Sequence, residues 1–322
     1  MPRLSRRMFL GTAVATSFGA ARLAHAQSGR PIKIIVPYPA GGASDIIARL
    51  IAPELDRALQ QPFIVDNRGG GASMVGTQSV ATATTGDTIG VIDSAFVINP
   101  GLFRGKLPYD TRKDFAPISL LATSPLVMVV HPSVAAKTVK EFVALAKSQP
   151  GKLNYASAGL GTAIHLAGEQ FRQAAEIDIL HVPYRGGAPA ITDLLAGTVQ
   201  MTFATVAAIA QQVKQGMVRA LAVTGQRVSQ LSDVPTMAEA GLAGVDAMPL
   251  FGLIGPAALP ADVVAKYSQV AATSFKNDPL RSRVADLGFV PVGSTPAEFS
   301  TRIGEEIEKW TRVIEKGNIQ PQ

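Results

Sequence analysis

The feature that most constrains the fold is an apolar run that ends in a glycine-rich loop and continues directly into a helical pattern. Apolar residues 34–36 lead into a Pro-Gly-rich turn at residues 37–43, after which apolar residues recur at helical spacing. Ser44 or Asp45 is placed to cap that helix, and the two adjacent glycines let a ligand approach the backbone closely. Unpaired N–H groups at a helix start favour an anion, although an ordinary turn has the same pattern.

The order of strand, small-residue loop and helix recurs along the chain, which favours parallel sheets covered by helices. Residues 153–162 and 179–189 each lead from an apolar run through small residues into a helical pattern. Two long apolar runs bracketed by prolines, residues 117–132 and 248–256, are interpreted as strands that cross between two lobes. We therefore predict an α/β protein of two lobes, each a mostly parallel sheet flanked by helices, joined by two crossing strands. Ligands of such sheets bind outside the carboxyl ends of the strands.

The length of 322 residues is sufficient for two domains that close on a ligand by a hinge motion. Residues 248–256 are expected to pair with residues 124–132. Residues 98–100 are predicted to be irregular, and residues 234–241 to form a short capped helix. The expected division is a signal peptide at 1–26, lobe one at 27–123 plus 252–322, and lobe two at 124–251.

The N-terminus has the three regions of an export signal. The sequence SRRMFL at residues 5–10 is a twin-arginine pattern, residues 11–21 are mildly apolar, and AHA at residues 24–26 is a cleavage site of the A-x-A type. The apolar run is too short to anchor a protein permanently in a bilayer. We expect a periplasmic protein, exported in a folded state by the twin-arginine route.

Composition and charge exclude several classes of function. The formal charge of +6 includes four arginines before residue 27, so the remaining chain has 26 basic and 24 acidic residues. That balance removes the support for a nucleic-acid partner. The chain has no cysteine, no G-x-S-x-G, H-E-x-x-H or P-loop motif, and no histidines at metal-ligand spacing. We therefore predict no catalytic residues, no metal and no cofactor, and regard an enzyme as the less favoured alternative.

Several sequence blocks together resemble one family. In chain order they are VPYPAGGASD at 36–45, VDNR at 65–68, YASAG at 155–159 with GT at 161–162 and HLA at 165–167, VPYRGGAPA at 182–190, and DVPTMAEAG at 233–241. This combination, which covers nearly the whole chain after the export signal, is similar to the Bug family, the solute-binding proteins of tripartite tricarboxylate transporters. The resemblance implies a two-lobed periplasmic binding protein of type II, with a Venus-flytrap cleft for a small carboxylate. Ligands of such proteins include organic acids, acidic amino acids and aromatic acids.

The resemblance also implies the partners and the site. Partners would be the integral-membrane subunits of a transporter, with the binding protein itself a monomer; a ligand sensor or an orphan receptor without a cognate transporter is the alternative. The loop at residues 38–45 would hold a carboxylate partly through water, and the loop at residues 157–162 through N–H groups and hydroxyls. The expected ligand-binding residues are Tyr38, Pro39, Ala40, Gly41, Gly42, Ala43, Asp45, Ser94, Ser157, Ala158, Gly159, Gly161, Thr162, His165, Phe203, Ala204 and Thr205.

Some positions depart from the family pattern or leave two interpretations open. Ala204 stands where members commonly have Asp, Leu250 where many have Trp, Gly69 where Pro is usual, and Asp93 with Ser94 in place of smaller residues. Two further interpretations remain open. The hydroxyls of residues 157 and 162 would serve as helix caps or as ligand donors, and the histidine at 165 as a buried structural group or as a ligand contact. Candidate arginine partners of a carboxylate, which are more often solvated in such positions, are Arg49, Arg68 and Arg185.

Overall fold

The structure is a computed structural model that describes residues 30–84, 86–184 and 186–321. The predicted twin-arginine signal peptide and Arg185 lie outside these residues. Within them, no helix is both long enough and apolar enough to cross a membrane.

Strands and helices alternate over most of the described chain. The strands are β1 (Ile32–Val36), β2 (Phe63–Asn67), β3 (Thr88–Ile92), β4 (Phe115–Thr123), β5 (Leu126–Val130), β6 (Asn154–Ser157), β7 (Leu180–Pro183), β8 (Met201–Thr205), β9 (Arg219–Val223), β10 (Leu250–Pro256) and β11 (Val290–Pro291). The helices are α1 (Ala43–Leu59), α2 (Met74–Ala81), α3 (Ala95–Leu102), α4 (Val139–Ser148), α5 (Ala163–Ala175), α6 (Gly187–Leu195), α7 (Val206–Lys214), α8 (Ala261–Lys276), α9 (Leu280–Asp286) and α10 (Pro296–Gly317).

The strands form two separate sheets. Sheet A has the order β11-β4-β10-β3-β1-β2, and sheet B has the order β7-β6-β8-β5-β9. In sheet A, β1 is parallel to β2 and β3, whereas β10 is antiparallel to both β3 and β4. In sheet B, β6 is parallel to β7 and β8, whereas β5 is antiparallel to β8 and β9. The two-lobed α/β class is confirmed, and the sheets are more mixed than the predicted mostly parallel ones because β5 and β10 run against their neighbours.

The predicted pairing of the two proline-bracketed runs is wrong. β10 pairs with β4 over Leu250 to Pro256, opposite Thr123 to Phe115, and not with β5. The first run divides at Ser124, whose N–H donates to the carbonyl of Pro249 at 2.8 Å, so β4 lies in sheet A and β5 in sheet B. Within the described ranges, the chain passes from one sheet to the other twice, by the short connection after β4 and by the longer return before β10.

Two local predictions are also corrected. Residues 98–100, predicted to be irregular, lie inside α3, where Phe96, Val97, Ile98 and Leu102 are buried, so apolar burial outweighs the proline at position 100. Residues 234–241 form turns and not a helix. The capping contacts are nevertheless present there, because Glu239 accepts from the Thr236 N–H at 2.7 Å and donates its own N–H to the Thr236 hydroxyl at 3.1 Å.

The C-terminal helix α10 packs against helices that belong to both sheets. α10 begins with a complete capping box at Thr295 and packs against α3, and its Trp310 is fully buried. α10 also contacts α5, the helix that follows β6. Gln173 Nε2, in α5, donates to the carbonyl of Val313, in α10, at 3.1 Å. One apolar cluster therefore continues from Phe96 beside sheet A to Phe171 beside sheet B.

Candidate ligand-binding site

The first glycine-rich loop follows β1 and starts α1. Gly42 is the N-cap residue, and no side chain caps it, so the first N–H groups of α1 have no acceptor within the helix. Asp45, in the first turn, instead reaches back to accept the N–H of Gly41 at 2.9 Å. Gly41 has φ of +91°, a conformation that favours glycine. The loop thus presents backbone donors at its tip while its carboxylate points inward.

A network behind this loop fixes its shape. Asn67, the last residue of β2, donates from Nδ2 to the Tyr38 carbonyl at 3.0 Å and to Asp45 Oδ1 at 3.0 Å. Arg49 Nε donates to Asp45 Oδ2 at 2.9 Å. Burial alone would raise the pKa of Asp45, but the hydrogen bonds from Arg49, Gly41 and Asn67 outweigh it and lower that pKa. Asp45 is therefore an ionised support for the loop, and sequence reasoning missed Asn67 as its partner.

A second acid lies at the adjacent strand end. Asp93 follows β3, and its Oδ1 accepts from the Tyr38 hydroxyl at 2.9 Å and from the Ala95 N–H at 2.9 Å. Burial, which outweighs these hydrogen bonds, raises the pKa of Asp93 to about 6. Burial first and the nearby Asp93 second raise the pKa of Tyr38 well above its ordinary value. The ring of Tyr38 is thereby fixed against the end of β3.

The second glycine-rich loop follows β6 and starts α5. The Thr162 hydroxyl accepts from the His165 N–H at 3.3 Å and donates to the Gly159 carbonyl at 2.7 Å, so it serves as the cap of α5. The Ser157 hydroxyl, which is fully buried, accepts from the Gly159 N–H at 3.1 Å. Gly159 and Gly161 have φ of +128° and +74°. The Thr162 hydroxyl is therefore the cap of α5, whereas the Ser157 hydroxyl bonds Gly159 within its own loop and caps no helix N–H group.

A stacked pair of histidines lies beneath the second loop. His165 is 2% exposed, accepts the Gly161 N–H on Nδ1 at 3.2 Å, and stacks on His181 with 4.0 Å between ring centroids. His181 Nε2 is 2.7 Å from the Ser157 hydroxyl. Burial lowers the pKa of His165 to about 3 and that of His181 to about 4, so both rings are neutral at pH 7. Sequence reasoning missed His181, because its partner lies 24 residues earlier in the chain.

Tyr155 extends this packing into the helix layer. Its ring stacks on His181 with 4.9 Å between centroids, and its hydroxyl donates to Glu169 Oε1 at 2.7 Å. Arg172 donates to the other oxygen of Glu169 from both Nε and Nη2, at 3.1 and 2.8 Å. Glu169 thus bonds both Tyr155 and Arg172, and the second loop lies on a layer of polar side chains whose hydrogen bonds are satisfied.

The two loops lie near opposite ends of α3, because Asp93, which accepts from the Tyr38 hydroxyl beside the first loop, comes just before its first residues. Ser94, which precedes α3, accepts the Leu250 N–H on its hydroxyl at 3.0 Å. At the other end of α3, Leu102 contacts the second loop so closely that a Cβ built on Gly161 would lie 2.4 Å from its Cδ2. An eight-residue helix rises by roughly 10 Å between its first and last residues, so the two contacts with the ends of α3 are about that far apart.

A groove continues from the second loop between α6 and α7, over β8, and has a volume of about 390 Å³. It starts at the carboxyl ends of β6 and β8, where Ala158 and Thr205 lie, and extends to Leu195 and Gln212. We call it the α6–α7 groove. Its lining consists of Ala158, Ile164, Gly187, Ala188, Ala190, Ile191, Thr192, Leu195, Thr202, Phe203, Ala204, Thr205, Ala208 and Gln212.

Fifteen of the seventeen predicted site residues fall into three groups, and the other two, Gly159 and Gly161, shape the second loop through their positive φ angles. Pro39, Ala40, Gly41 and Gly42 form the exposed tip of the first loop, with Ala43 starting α1 behind them. Ala158, Phe203, Ala204 and Thr205 line the α6–α7 groove. The third group has side chains that form hydrogen bonds within the protein and so support the loops and strand ends. Its members are Tyr38, Asp45, Ser94, Ser157, Thr162 and His165.

Neither described candidate arginine is free. Arg49 pairs with Asp45, and Arg68 pairs with Asp66 at 2.9 Å. In the part of the chain that the structure describes, no group of three or more His, Asp or Glu residues is arranged to hold a metal ion.

Comparison with known proteins gives consistent results. The model of the tripartite tricarboxylate transporter family receptor matches residues 47–319. The chain is 37% identical to the UPF0065 protein in the tcbD-tcbE intergenic region of Pseudomonas sp. strain P51, over 96% of this chain and 93% of that protein. The solved structure of R. palustris Rpa4515 with adipate is 30% identical, with a TM-score of 0.82 over 92% of this chain and 100% of that one. The periplasmic binding protein BugD is 29% identical, with a TM-score of 0.78 over 91% of this chain and 99% of that one.

Proposed function

The chain belongs to the family of tripartite tricarboxylate transporter receptors, and from this premise we propose that it is a periplasmic solute-binding protein for a small carboxylate. The carboxylate lies between the two glycine-rich loops, and the protein delivers it to the integral-membrane subunits of a transporter. The structural neighbour with adipate and the periplasmic binding protein BugD support this ligand class and this compartment.

The observation that carries the proposal is that both loops present backbone N–H groups while their acidic and hydroxyl side chains face inward. Asp45 is held by Gly41, Arg49 and Asn67. The Ser157 and Thr162 hydroxyls are engaged with their own loop. The first-turn N–H groups of α1 and the N–H groups of Ala163 and Ile164 in α5 therefore remain as donors, whereas the His165 N–H is bonded to Thr162. The helix dipoles favour an anion at the same positions.

Neutral donors are sufficient for the affinity such a protein needs. A hydrogen bond to a charged group contributes roughly 1.5–3 kcal/mol. Four or five of them in a closed cleft, after the entropic cost of association, leave about −8 kcal/mol, which corresponds to a micromolar dissociation constant. Closure of the cleft would bring the exposed loop tip at residues 39–42 onto the ligand. In this motion residues 27–123 plus 252–322 would move as one lobe and residues 124–251 as the other.

The proposal includes the route to the periplasm and the assembly state. We assign export to the twin-arginine signal at residues 1–26, which implies that the protein crosses the inner membrane already folded. It acts as a monomer and meets the membrane subunits only when loaded. Co-purification of those subunits with the ligand-bound protein, and not with the free protein, tests this part.

The site is tested with Gly42→Val. A Cβ at Gly42 would have only the Pro39 carbonyl oxygen within 4 Å, at 3.9 Å, so the fold accommodates the side chain while it blocks the approach of a ligand. Gly244→Val is the matched control, because a Cβ there meets nothing within 4 Å and its φ is not positive. Isothermal titration with the best carboxylate from a thermal-shift screen should show binding lost in Gly42→Val and retained in Gly244→Val. Equal affinity of the two variants would refute the site.

A further inference from the structure

The carboxyl group of Asp93 has a negative charge for which the folded protein supplies no cation. Its Oδ1 accepts both of its hydrogen bonds, from the Tyr38 hydroxyl and from the Ala95 N–H, at 2.9 Å each. Oδ2 accepts none from the described residues, and no lysine or arginine among them acts on this carboxyl group. The neutral amide oxygen of an asparagine could accept the same two hydrogen bonds without the cost of a desolvated charge. The structural role of Asp93 therefore does not account for its charge.

Asp93 lies beside the first glycine-rich loop. β1 and β3 are parallel neighbours with Ile35 opposite Gly90, so three residues further along each chain Tyr38 comes opposite Asp93. Neighbouring strands are about 4.8 Å apart, and the hydrogen bond between the two side chains shows that the pairing of positions continues past the strand ends. Asp93 is partly exposed, so a ligand on the loop can reach it.

The charge of Asp93 opposes a ligand that has only negative groups. Burial raises the pKa of Asp93 to about 6, so the carboxyl group is ionised at pH 7.5 and would repel a carboxylate held by the adjacent loop. An ammonium group on the carbon next to the ligand carboxylate removes this conflict, because it supplies the missing cation while the carboxylate accepts from the first N–H groups of α1.

We propose that Asp93 is a specificity-determining residue, which binds an α-ammonium group of the ligand through Oδ2 and so selects amino acids over the acids that lack this group. The inference rests on the proposed function and deepens it. Asp93 is also a position at which the chain departs from the family pattern, so membership of the family does not by itself imply this contact.

Two pairs of acids test the selection. L-norvaline and pentanoate share a five-carbon chain with one carboxylate, and L-glutamate and glutarate share one with two, so the α-ammonium group is the only difference within each pair. Isothermal titration of the mature protein at pH 7.5 should give the amino acid of a pair a dissociation constant at least about tenfold lower, which corresponds to about 1.4 kcal/mol. Pentanoate or glutarate binding as tightly as its amino acid overturns the inference and leaves the proposed function standing. Binding of none of the four acids overturns both.

A charge-removing variant assigns the selection to Asp93. Asp93→Asn keeps an oxygen acceptor for Tyr38 and Ala95, so a purely structural residue at this position would leave the preference for the amino acid unchanged. We expect the two dissociation constants of a pair to come within about twofold of each other in this variant, with a melting temperature no lower than that of the wild type. Asp262→Asn is the control, because it removes an exposed acid paired with Lys266 on α8, and it should keep the wild-type preference. A preference that survives in Asp93→Asn overturns the inference.

Discussion

Replacement of Asp93 by asparagine should stabilise the protein at neutral pH and much less in acid. The Asp93 carboxyl has a pKa of about 6 in the folded protein, against an ordinary value of 3.8, because burial penalises its charged form. Above pH 6 the buried charge therefore lowers the free energy of unfolding by about 3 kcal/mol. Asparagine keeps an acceptor for the hydrogen bonds from Tyr38 and Ala95 and removes the charge.

The sign of the effect follows from proton binding. Between pH 3.8 and about 6 the folded protein retains the Asp93 proton while the unfolded chain releases it, so the wild type loses stability as the pH rises through this window. The variant has no such loss. The free energy of unfolding of Asp93→Asn minus that of the wild type should therefore increase by about 2 kcal/mol from pH 4.5 to pH 7.5.

Urea unfolding followed by far-UV circular dichroism at the two pH values measures this difference, and subtraction cancels the titration of all other groups. Asp262→Asn is the control: hydrogen bonding and charge from Lys266 lower the pKa of Asp262 below its ordinary 3.8, so both test pH values lie above its titration and the stability difference should stay nearly constant between them. A stability difference for Asp93→Asn that stays constant with pH would refute the assignment of a buried, destabilising charge to Asp93.

Three further predictions concern the supports of the two loops. His181→Ala removes the partner of the buried Ser157 hydroxyl, so urea unfolding should show a loss of about 1–3 kcal/mol together with weaker carboxylate binding; weaker binding at full stability would instead mean that His181 touches the ligand. The pKa of His165 is about 3 in the folded protein, against an ordinary 6.5, so burial of its neutral ring contributes stability above pH 6.5 that is lost as the pH falls towards 3. His165→Asn should therefore make the free energy of unfolding fall less steeply between these pH values. An unchanged slope would contradict this. Gly76→Ala places a Cβ 2.7 Å from the Pro37 Cα and should lower the free energy of unfolding by about 1–3 kcal/mol in the same assay, whereas an unchanged value would show that α2 shifts freely against β1.

The parts of the site that depend on neighbouring residues could be predicted from the sequence. The first loop is specified by its own prolines and glycines, and the second by glycines at 159 and 161 with a capping threonine. Such signals act within a few residues, so pattern and turn chemistry detect them. The two-sheet α/β class followed from the same alternation of strands and helices.

The partners of the functional side chains could not be predicted, because they come from distant parts of the chain. Asn67 reaches Asp45 across 22 residues, and His181 reaches Ser157 across 24. No local pattern indicates that the Ser157 hydroxyl bonds this histidine. The pairing of β10 was mispredicted for a similar reason. β4 and β5 are both apolar, so the sequence does not indicate which of them pairs with β10, and tertiary packing selects β4.

The position of β10 in sheet A has a consequence for the order of assembly. Sheet B uses strands from one continuous stretch, β5 to β9, whereas β10 lies between β3 and β4 and pairs Gly252 with Ile92, 160 residues earlier. Closing so long a loop is entropically expensive and slow, so sheet B is free to form first although its residues are made later than most of sheet A. Until residue 256 has been synthesised, the facing edges of β3 and β4 have no strand between them. The half of the molecule that starts the chain is therefore the half that finishes folding last.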